Sequence, residues 1–377
     1  MQKTVFMMAT SFFWFSLYAY IPELSTYAKE LGAGYEMIGV ITASYGLTQT
    51  ILRIPLGIFS DRLNKRKIFI TGGMLVTTVS CLITFFFPTV LSLLITRLLA
   101  GISASAWVVF TVLFASYYKR EESPKAIGIM NGYNALGQLA AMAIGGFISL
   151  SFGTRYLYLL GAAGGALGLG LSFFIKENKV VHRTPMGLKQ ILTIASDKML
   201  AKVSVLAILS QFITFATTFG FVPIVAQNLG ANRLQLSILT AIGIIPAIGM
   251  SAFAATVFVR WWGEGKTLIY GFILCSALCI ITPFSQTLGV LMIVQFFAGV
   301  GRSMVFPLLM GLSIRHIEEH KRASAMGFFQ AIYGVGMVIG PILLGMLAGQ
   351  FGLVAGFLMT GLIGIGASLL TIKFKIA

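Results

Sequence analysis

The sequence predicts an all-α polytopic membrane protein, with 12 transmembrane helices arranged as two pseudo-symmetric six-helix lobes. Three observations predict it: an apolar composition, a series of membrane-length segments, and a half-length repeat. Of the 377 residues, 57% are hydrophobic and only 10% are charged, and the mean hydropathy is +0.92. Soluble domains carry roughly 25% charged residues and could not bury this much apolar surface. The composition therefore excludes a soluble enzyme and a disordered chain.

The apolar segments are separated by short charged or Gly- and Pro-containing turns. Each is long enough to cross hydrocarbon as a helix, which satisfies its own backbone hydrogen bonds. Pro22 should bend the first of them near its outer end. The twelve predicted spans lie near residues 4–28, 36–59, 68–87, 90–116, 125–150, 156–175, 201–226, 235–258, 267–285, 288–312, 325–348 and 353–372.

The positive charges alternate between the two sides of these spans. With the N-terminus inside, the inner segments hold 21 of the 27 Lys and Arg residues, the outer segments hold three and the spans hold three. Because Lys and Arg collect on cytoplasmic loops, both termini are predicted to be cytoplasmic, in the plasma or inner membrane of the cell. The same bias explains the net charge of +16 without a nucleic-acid partner.

Two related halves flank a polar stretch. We predict an N-terminal lobe at residues 1–175, a cytoplasmic central linker at 176–200 and a C-terminal lobe at 201–377. The sequence Leu-Gly-Ala at residues 31–33 recurs at 229–231, and Ala-Gly at 100–101 recurs at 298–299, both at an offset of 198 residues. A parallel repeat of this length is typical of a two-lobed secondary transporter.

The turn after the second span carries a distinctive motif, GIFSDRLNKRK, at residues 57–67. It resembles the loop motif G-x-L-x-D-R-x-G-R-K of the major facilitator superfamily, with Asn64 in place of the usual glycine. Arg97 and Gly101 are similar to the family's R-x-x-x-G motif. The glycines of the fifth span resemble the motif of its antiporters but lack the central Gly-Pro. The chain thus resembles a bacterial exporter of drugs or other small molecules.

This resemblance implies a mechanism in which one lobe rocks against the other around a central cavity, lined mainly by spans one, four, seven and ten. It also implies a cytoplasmic gate formed by the loop motif. Asp61 would need a positive partner because it lies at the negative end of a helix dipole; a solvated loop charge is the alternative. The gate residues are Gly57, Asp61, Arg62, Lys65 and Arg66.

Polar side chains at helical spacing suggest which faces line the cavity. Because such groups are costly in lipid, we expect them to point into the bundle, either to contact substrate or to pair across helices. The candidates are Phe13, Ser16, Tyr20, Glu23, Tyr45, Gln49, Arg97, Asn131, Asn134, Gln138, Gln211, Thr214, Thr218, Arg302, Gln330 and Tyr333.

Charges within the spans are few and mostly positive. Arg53, Arg97 and Arg302 lie there, whereas Glu23 is the only carboxylate expected at membrane depth. One hypothesis is a net-positive cavity for anionic, zwitterionic or amphiphilic molecules; the alternative is that each arginine binds backbone carbonyls. Glu23 is also the candidate for proton coupling, unless it is merely exposed at the outer rim.

The sequence thus predicts a secondary transporter, with proton-coupled efflux of a small organic or amphiphilic molecule as the first hypothesis. Proton symport or uncoupled uptake of an anionic or zwitterionic metabolite is the alternative; a channel or an integral-membrane enzyme is disfavoured. No Walker motif is present, and no cofactor, metal or catalytic residue is predicted, the pair His316 and His320 being read as part of a solvated turn. The expected partners are the substrate, protons and membrane lipid, around a monomer.

Overall fold

The computed structural model describes residues 2–63, 65–119, 122–177, 197–249, 257–315, 317–318 and 322–376, without the side chains of residues 61, 123–125, 247–249, 323 and 324. Most of the predicted linker and the histidine pair therefore lie outside the described residues. So do the side chain of Asp61 and the whole of Asn64.

Twelve spans follow one another in the described chain, and all its regular structure is helical. Because apolar residues dominate every segment, the helices are held by packing against each other and by lipid rather than by one amphipathic stripe. The N-terminal lobe comprises α1 (Gln2–Glu30), α2 (Tyr35–Leu63), α3 (Arg66–Phe86), α4 (Val90–Ala115), α5 (Ser123–Phe152) and α6 (Arg155–Ser172). The C-terminal lobe comprises α7 (Lys198–Asn228), α8 (Arg233–Gly249), α9 (Val259–Ile281), α10 (Leu288–Arg315), α11 (Arg322–Phe351) and α12 (Leu353–Phe374).

Nine helices of the described chain are long and apolar enough to cross a membrane. The remaining three are α2, α6 and α8. Helix α2 has 29 residues but includes charged groups, α6 has 18 residues, and α8 has 17 residues next to a segment that is not described. The twelve-helix architecture predicted from the sequence is confirmed.

The leading helix of each lobe is broken at the equivalent place. Helix α1 is α-helical to Tyr18, passes through a 3₁₀ turn at Ile21–Glu23 and continues as Leu24–Glu30. The predicted bend at Pro22 is confirmed. Helix α7 passes through a π-helical turn at Thr217–Phe221 before its last segment, Val222–Asn228. The two last segments, which we call the tips, start 198 residues apart and contact each other.

Two other spans depart from the predicted helices. Helix α4 is interrupted at Ala106, between the segments Val90–Ser105 and Trp107–Ala115. Helix α9 starts at Val259, earlier than the predicted residue 267, but Gly263 has φ +78° and breaks it one turn later. A left-handed φ is easily adopted only by glycine, so the long straight part of α9 begins after this residue.

The lobes meet along two helix pairs, α2 with α11 and α5 with α8. Small residues allow this close approach. A Cβ atom at Gly46 of α2 would lie 2.7 Å from Cβ of Met337, and one at Gly146 of α5 would lie 2.8 Å from Leu234. We call the end of the bundle that holds both chain termini the terminal end and the other the opposite end. The sequence predicts that the terminal end is cytoplasmic.

Candidate functional site

A narrow cavity lies between the lobes, where α1, α2, α4 and α7 converge. Aromatic side chains form most of its wall, because each of these helices presents an apolar face toward the other lobe. The break in α1 ends the helix at Tyr18, so residues on either side of the break reach the same space. The lining side chains are Leu17, Tyr18, Ile21, Tyr45, Arg97, Phe215 and Phe219.

Arg97 is the single charged residue among those that line this cavity. It is 3% exposed, and its guanidinium carbon lies 4.4 Å from the centroid of the Tyr45 ring. A cation facing an aromatic ring is stabilised by the ring quadrupole. Within the described residues, Arg97 Nε makes no hydrogen bond, so the guanidinium keeps capacity for another acceptor.

Glu23 lies at the opposite end of the bundle and is 1% exposed, which rules out the alternative of a rim carboxylate in solvent. Its Oε2 accepts hydrogen bonds from Ser149 Oγ at 2.7 Å and Thr154 Oγ1 at 2.6 Å, both within the N-terminal lobe. The same oxygen is 4.0 Å from Nε of Arg233 in the C-terminal lobe. Glu23 therefore accepts hydrogen bonds within its own lobe and makes an ionic contact to the other lobe.

Arg233 joins the lobes at this end by several contacts. Its Nη1 donates to the backbone oxygen of Ser149 at 3.4 Å, and its Nη2 is 3.9 Å from Glu30 Oε2. Gly153, with φ +101°, makes the turn beside it; a Cβ atom there would lie 3.4 Å from Arg233 Nη1. We call Glu23, Glu30, Ser149 and Arg233 the opposite-end gate.

The two tips add a further interlobe contact at this end. Lys29 Nζ donates to Asn228 Oδ1 at 3.3 Å, joining the tip of α1 to the tip of α7. The lobes are therefore held together at the opposite end, beyond the cavity.

Arg53 joins the lobes on the side of the cavity nearer the terminal end. Its Nη1 donates to the Tyr333 hydroxyl at 3.1 Å and lies 3.5 Å from the backbone oxygen of Gln330. Gln49 and Tyr45 lie together on the predicted face of α2, since Gln49 Nε2 donates to the Tyr45 hydroxyl at 3.2 Å. Arg53 thus has protein acceptors in the opposite lobe, unlike Arg97.

Three of the predicted cavity residues lie instead inside the N-terminal lobe. The Phe13 ring packs 4.8 Å from Phe110, Ser16 Oγ is 3.2 Å from Thr77 Oγ1, and the Tyr20 ring stacks on Tyr158 at 4.7 Å. These contacts bury the three side chains within one lobe, although the Tyr20 hydroxyl has no hydrogen-bond partner in the described part of the chain. A role of Phe13, Ser16 and Tyr20 in substrate contact stays a prediction that this geometry does not favour.

Other predicted polar residues are spread along α5 and α7. Gln138 Nε2 donates to Asn134 Oδ1 at 2.5 Å on the predicted face of α5, while Asn131 is exposed. In α7, Gln211 is half-buried and Thr214 donates to the backbone oxygen of Ser210. Thr218 is 5% exposed, and its hydroxyl has no hydrogen-bond partner within the described residues.

Arg302 lies in a second cavity, inside the C-terminal lobe. This cavity is also narrow and is bounded by α7, α9 and α10, with Gln295, Cys275 and Cys279 on its wall. Arg302 Nη2 donates to the backbone oxygen of Gly243 at 2.9 Å. The structure therefore does not bring Arg302 together with Arg97.

The loop motif at the terminal end is described only in part. Arg62 and Lys65 are exposed, whereas Arg66 is buried and its backbone N–H donates to the carboxylate of Glu177, after α6. Gly57 lies near Val108 of α4. The predicted contact between Asp61 and the start of α11 lies outside the described side chains.

The predicted cavity residues did not include Tyr18, Phe215 and Phe219, which form most of the aromatic wall. Helix faces were chosen by their polar side chains; the two phenylalanines carry none, and Tyr18 lies off the face of α1 that contains Tyr20. The spacing of Phe215 and Phe219, four residues apart and thus on one helix face, was the available signal. Their rings lie 5.2 Å apart, and Tyr18 packs edge-on to Phe219 at 6.0 Å.

A twelve-helix bundle in two repeated lobes, with a cavity between them, defines the class of multi-pass membrane transporters for small molecules. The chain belongs to the Major Facilitator Superfamily, whose family profile matches it twice, at residues 6–219 and 203–375.

Similar proteins agree with this assignment. An uncharacterized MFS-type transporter of Methanocaldococcus jannaschii is 27% identical over 344 residues, covering 88% of this chain and 87% of the relative. Multidrug resistance protein 1 of Bacillus subtilis is 26% identical over 336 residues, covering 87% and 84%. A solved bacterial homologue of the human lysosomal transporter Spinster, in an inward-facing and occupied conformation, has a TM-score of 0.81 at 13% identity, covering 99% and 96%.

Proposed function

We propose that this protein exports a small amphiphilic organic molecule across the cell membrane in exchange for protons, by alternating access to the cavity between its lobes. The observation that carries the proposal is a central cavity lined by both lobes and shut off by interlobe contacts at the opposite end. A site reached through one end at a time is what coupled transport requires. The name of the Bacillus subtilis relative supports efflux.

Glu23 is the proposed coupling residue. Its charge faces Arg233 across the lobe interface, so protonation from the opposite side would remove the attraction that keeps this end closed. Its hydrogen bonds to Ser149 and Thr154 belong to the N-terminal lobe alone and need not break when the lobes part. A proton taken up by Glu23 would thus favour opening, and substrate would leave by the same end. For the exchange to be coupled, the empty protein must then close with Glu23 protonated and release this proton toward the terminal end.

The experiment uses purified protein in liposomes with pH 6 inside and pH 8 outside, and two permanently charged probes, 2-naphthalenesulfonate and (2-naphthylmethyl)trimethylammonium. Because antiport moves substrate against the proton flow, a transported probe should accumulate in the acidic lumen, whatever the orientation of the protein. A protonophore should abolish this accumulation. Depletion from the lumen would instead indicate symport, and equilibration without accumulation would indicate uncoupled transport; either result would overturn the proposal.

A pair of variants tests the coupling residue. Glu23→Gln should lose accumulation yet keep equilibrative exchange of the probe, because the cavity is untouched. Glu30→Gln, which alters the other carboxylate near Arg233, is the matched control and should still accumulate the probe. Full gradient-driven accumulation by Glu23→Gln would remove Glu23 from the coupling mechanism.

A further inference from the structure

We infer that the central cavity selects planar aromatic anions over cations of the same shape, and that Arg97 is the residue that sets this preference. The inference rests on the proposed function, since it names the substrate class of the same cavity. It follows from one juxtaposition: a buried guanidinium without an acidic partner inside an aromatic box built from both lobes.

The aromatic box suits a flat ligand. The rings of Tyr45 and Phe215 come from different lobes and are nearly parallel, 11° apart, with centroids separated by 6.1 Å. Two nearly parallel rings on opposite lobes can hold a planar ring between them once the lobes separate enough for stacking on both faces, at about 3.5 Å from each ring. The cavity is narrow in this structure, with room for little more than a water molecule, so a planar ring would enter it only when the lobes part.

The cavity carries a positive charge because acidic residues are nearly absent from the predicted spans. Of the eleven Asp and Glu residues, only Glu23 and Glu36 lie within predicted spans, and Glu36 is the first residue of its span. Glu23 is already engaged by Ser149, Thr154 and Arg233. No acidic residue lines the cavity. A cationic ligand would therefore meet the charge of Arg97 with nothing to offset it, in a site where water screens little.

The contacts of Arg97 differ from those of the other two arginines within spans. Arg53 donates to the Tyr333 hydroxyl, and Arg302 donates to the backbone oxygen of Gly243. Arg97 instead faces the Tyr45 ring. Its Nε, like that of Arg53, has no acceptor in the described part of the chain. A sulfonate or carboxylate oxygen forms a charge-assisted hydrogen bond to such a group, and the attached ring would lie against the aromatic wall.

Isothermal titration calorimetry on the purified full-length protein tests this with four probes of matched size. These are 2-naphthalenesulfonate, (2-naphthylmethyl)trimethylammonium, neutral 2-naphthalenemethanol, and decahydronaphthalene-2-sulfonate, an anion with the same carbon skeleton but without an aromatic ring. We expect the aromatic anion to bind at least tenfold more tightly than the cation and at least threefold more tightly than the aliphatic anion. A cation that binds as tightly as the anion would overturn the inference without any variant being needed.

Variants then assign the preference to a residue. Arg97→Gln should weaken binding of the aromatic anion at least tenfold and leave the neutral probe within about twofold, while Arg97→Lys should recover part of the anion affinity. Arg260→Gln, which removes an exposed arginine at the start of α9, is the matched control and should bind all four probes as the wild type does. An unchanged anion-to-cation ratio in Arg97→Gln would refute the role of Arg97.

The liposome experiment separates this inference from the proposed function. Charge-selective binding without gradient-driven movement would refute the transport proposal and leave the anion site standing. Gradient-driven accumulation of the cation but not the anion would support the transport proposal and refute the anion preference.

Discussion

The opposite-end gate gives a sharp prediction: Glu23→Gln should shift the protein toward a state that is open at this end. The substitution keeps the shape of the side chain but removes the charge 4.0 Å from Arg233 Nε. Two unit charges at this distance attract by about 4 kcal/mol at an effective dielectric constant of about 20.

Solvent reduces this value, because the Arg233 side chain is 40% exposed. Discounting for screening leaves about 1–2 kcal/mol, which corresponds to about a 5- to 30-fold increase in the ratio of open to closed molecules. Glu30 faces Arg233 at 3.9 Å but is itself 41% exposed. Glu30→Gln should therefore change the ratio by about fivefold at most.

Double electron–electron resonance measures this ratio. Spin labels at residues 29 and 228 report on the two tips, which are in contact in this structure, and the three buried cysteines are replaced by alanine in every sample. The Glu23→Gln sample should show a larger long-distance population than the parent, with Glu30→Gln in between. A distance distribution that Glu23→Gln leaves unchanged, or one that Glu30→Gln alters more, would refute the assignment of Glu23 as the main contact of the gate.

Three further predictions concern the lobe interface. Gly46→Ala places a methyl group against α11 and should destabilise the protein by about 1–3 kcal/mol. Gly72→Ala is the control, because a methyl group there has no neighbour within 4 Å, and it should not destabilise the protein. Thermal unfolding in detergent compares the two variants, and equal melting temperatures would contradict the close packing. Tyr333→Phe removes the acceptor of Arg53 and should cost about 1.5–3 kcal/mol, read by the same unfolding assay; a melting temperature equal to the wild type would show that this contact contributes little. Gly153→Ala strains a residue with φ +101° and should lower stability by about 1–2 kcal/mol, with circular dichroism as the check that the helices remain; no loss of stability would show that the turn adapts.

Much of the fold could be predicted because it depends on local chemistry. Apolar runs of about 20 residues specify membrane helices wherever they occur, and Pro22 cannot continue a regular helix, so the break in α1 was predictable. The break at Gly263 was not, because a glycine within a helical pattern is compatible with either a helix or a turn.

The candidate site was only partly predictable, for a physical reason. The lipid-facing and core-facing sides of a membrane helix are both apolar, so periodicity does not distinguish them as it does in a soluble protein. Ser16 looked like a cavity residue because it is polar, but it is satisfied by Thr77 within its own lobe. Phe215 looked like ordinary packing, yet it lies on the cavity wall. Charged residues were the better guide, since Arg97 and Glu23 lie where the lobes meet, although Arg302 lies inside the C-terminal lobe.

The matched interruptions in α1 and α7 allow two kinds of movement, one of the short tips and one of the whole lobes. Each tip is a seven-residue segment, about 10 Å long, and is joined to its trunk by a turn with irregular hydrogen bonding. Such a joint bends more readily than a continuous helix, so the two tips can move apart at the opposite end while the rest of α1 and α7 stays packed in the bundle. Passage at that end would then depend on the stiffness of two hinges as well as on the tilt of two bundles.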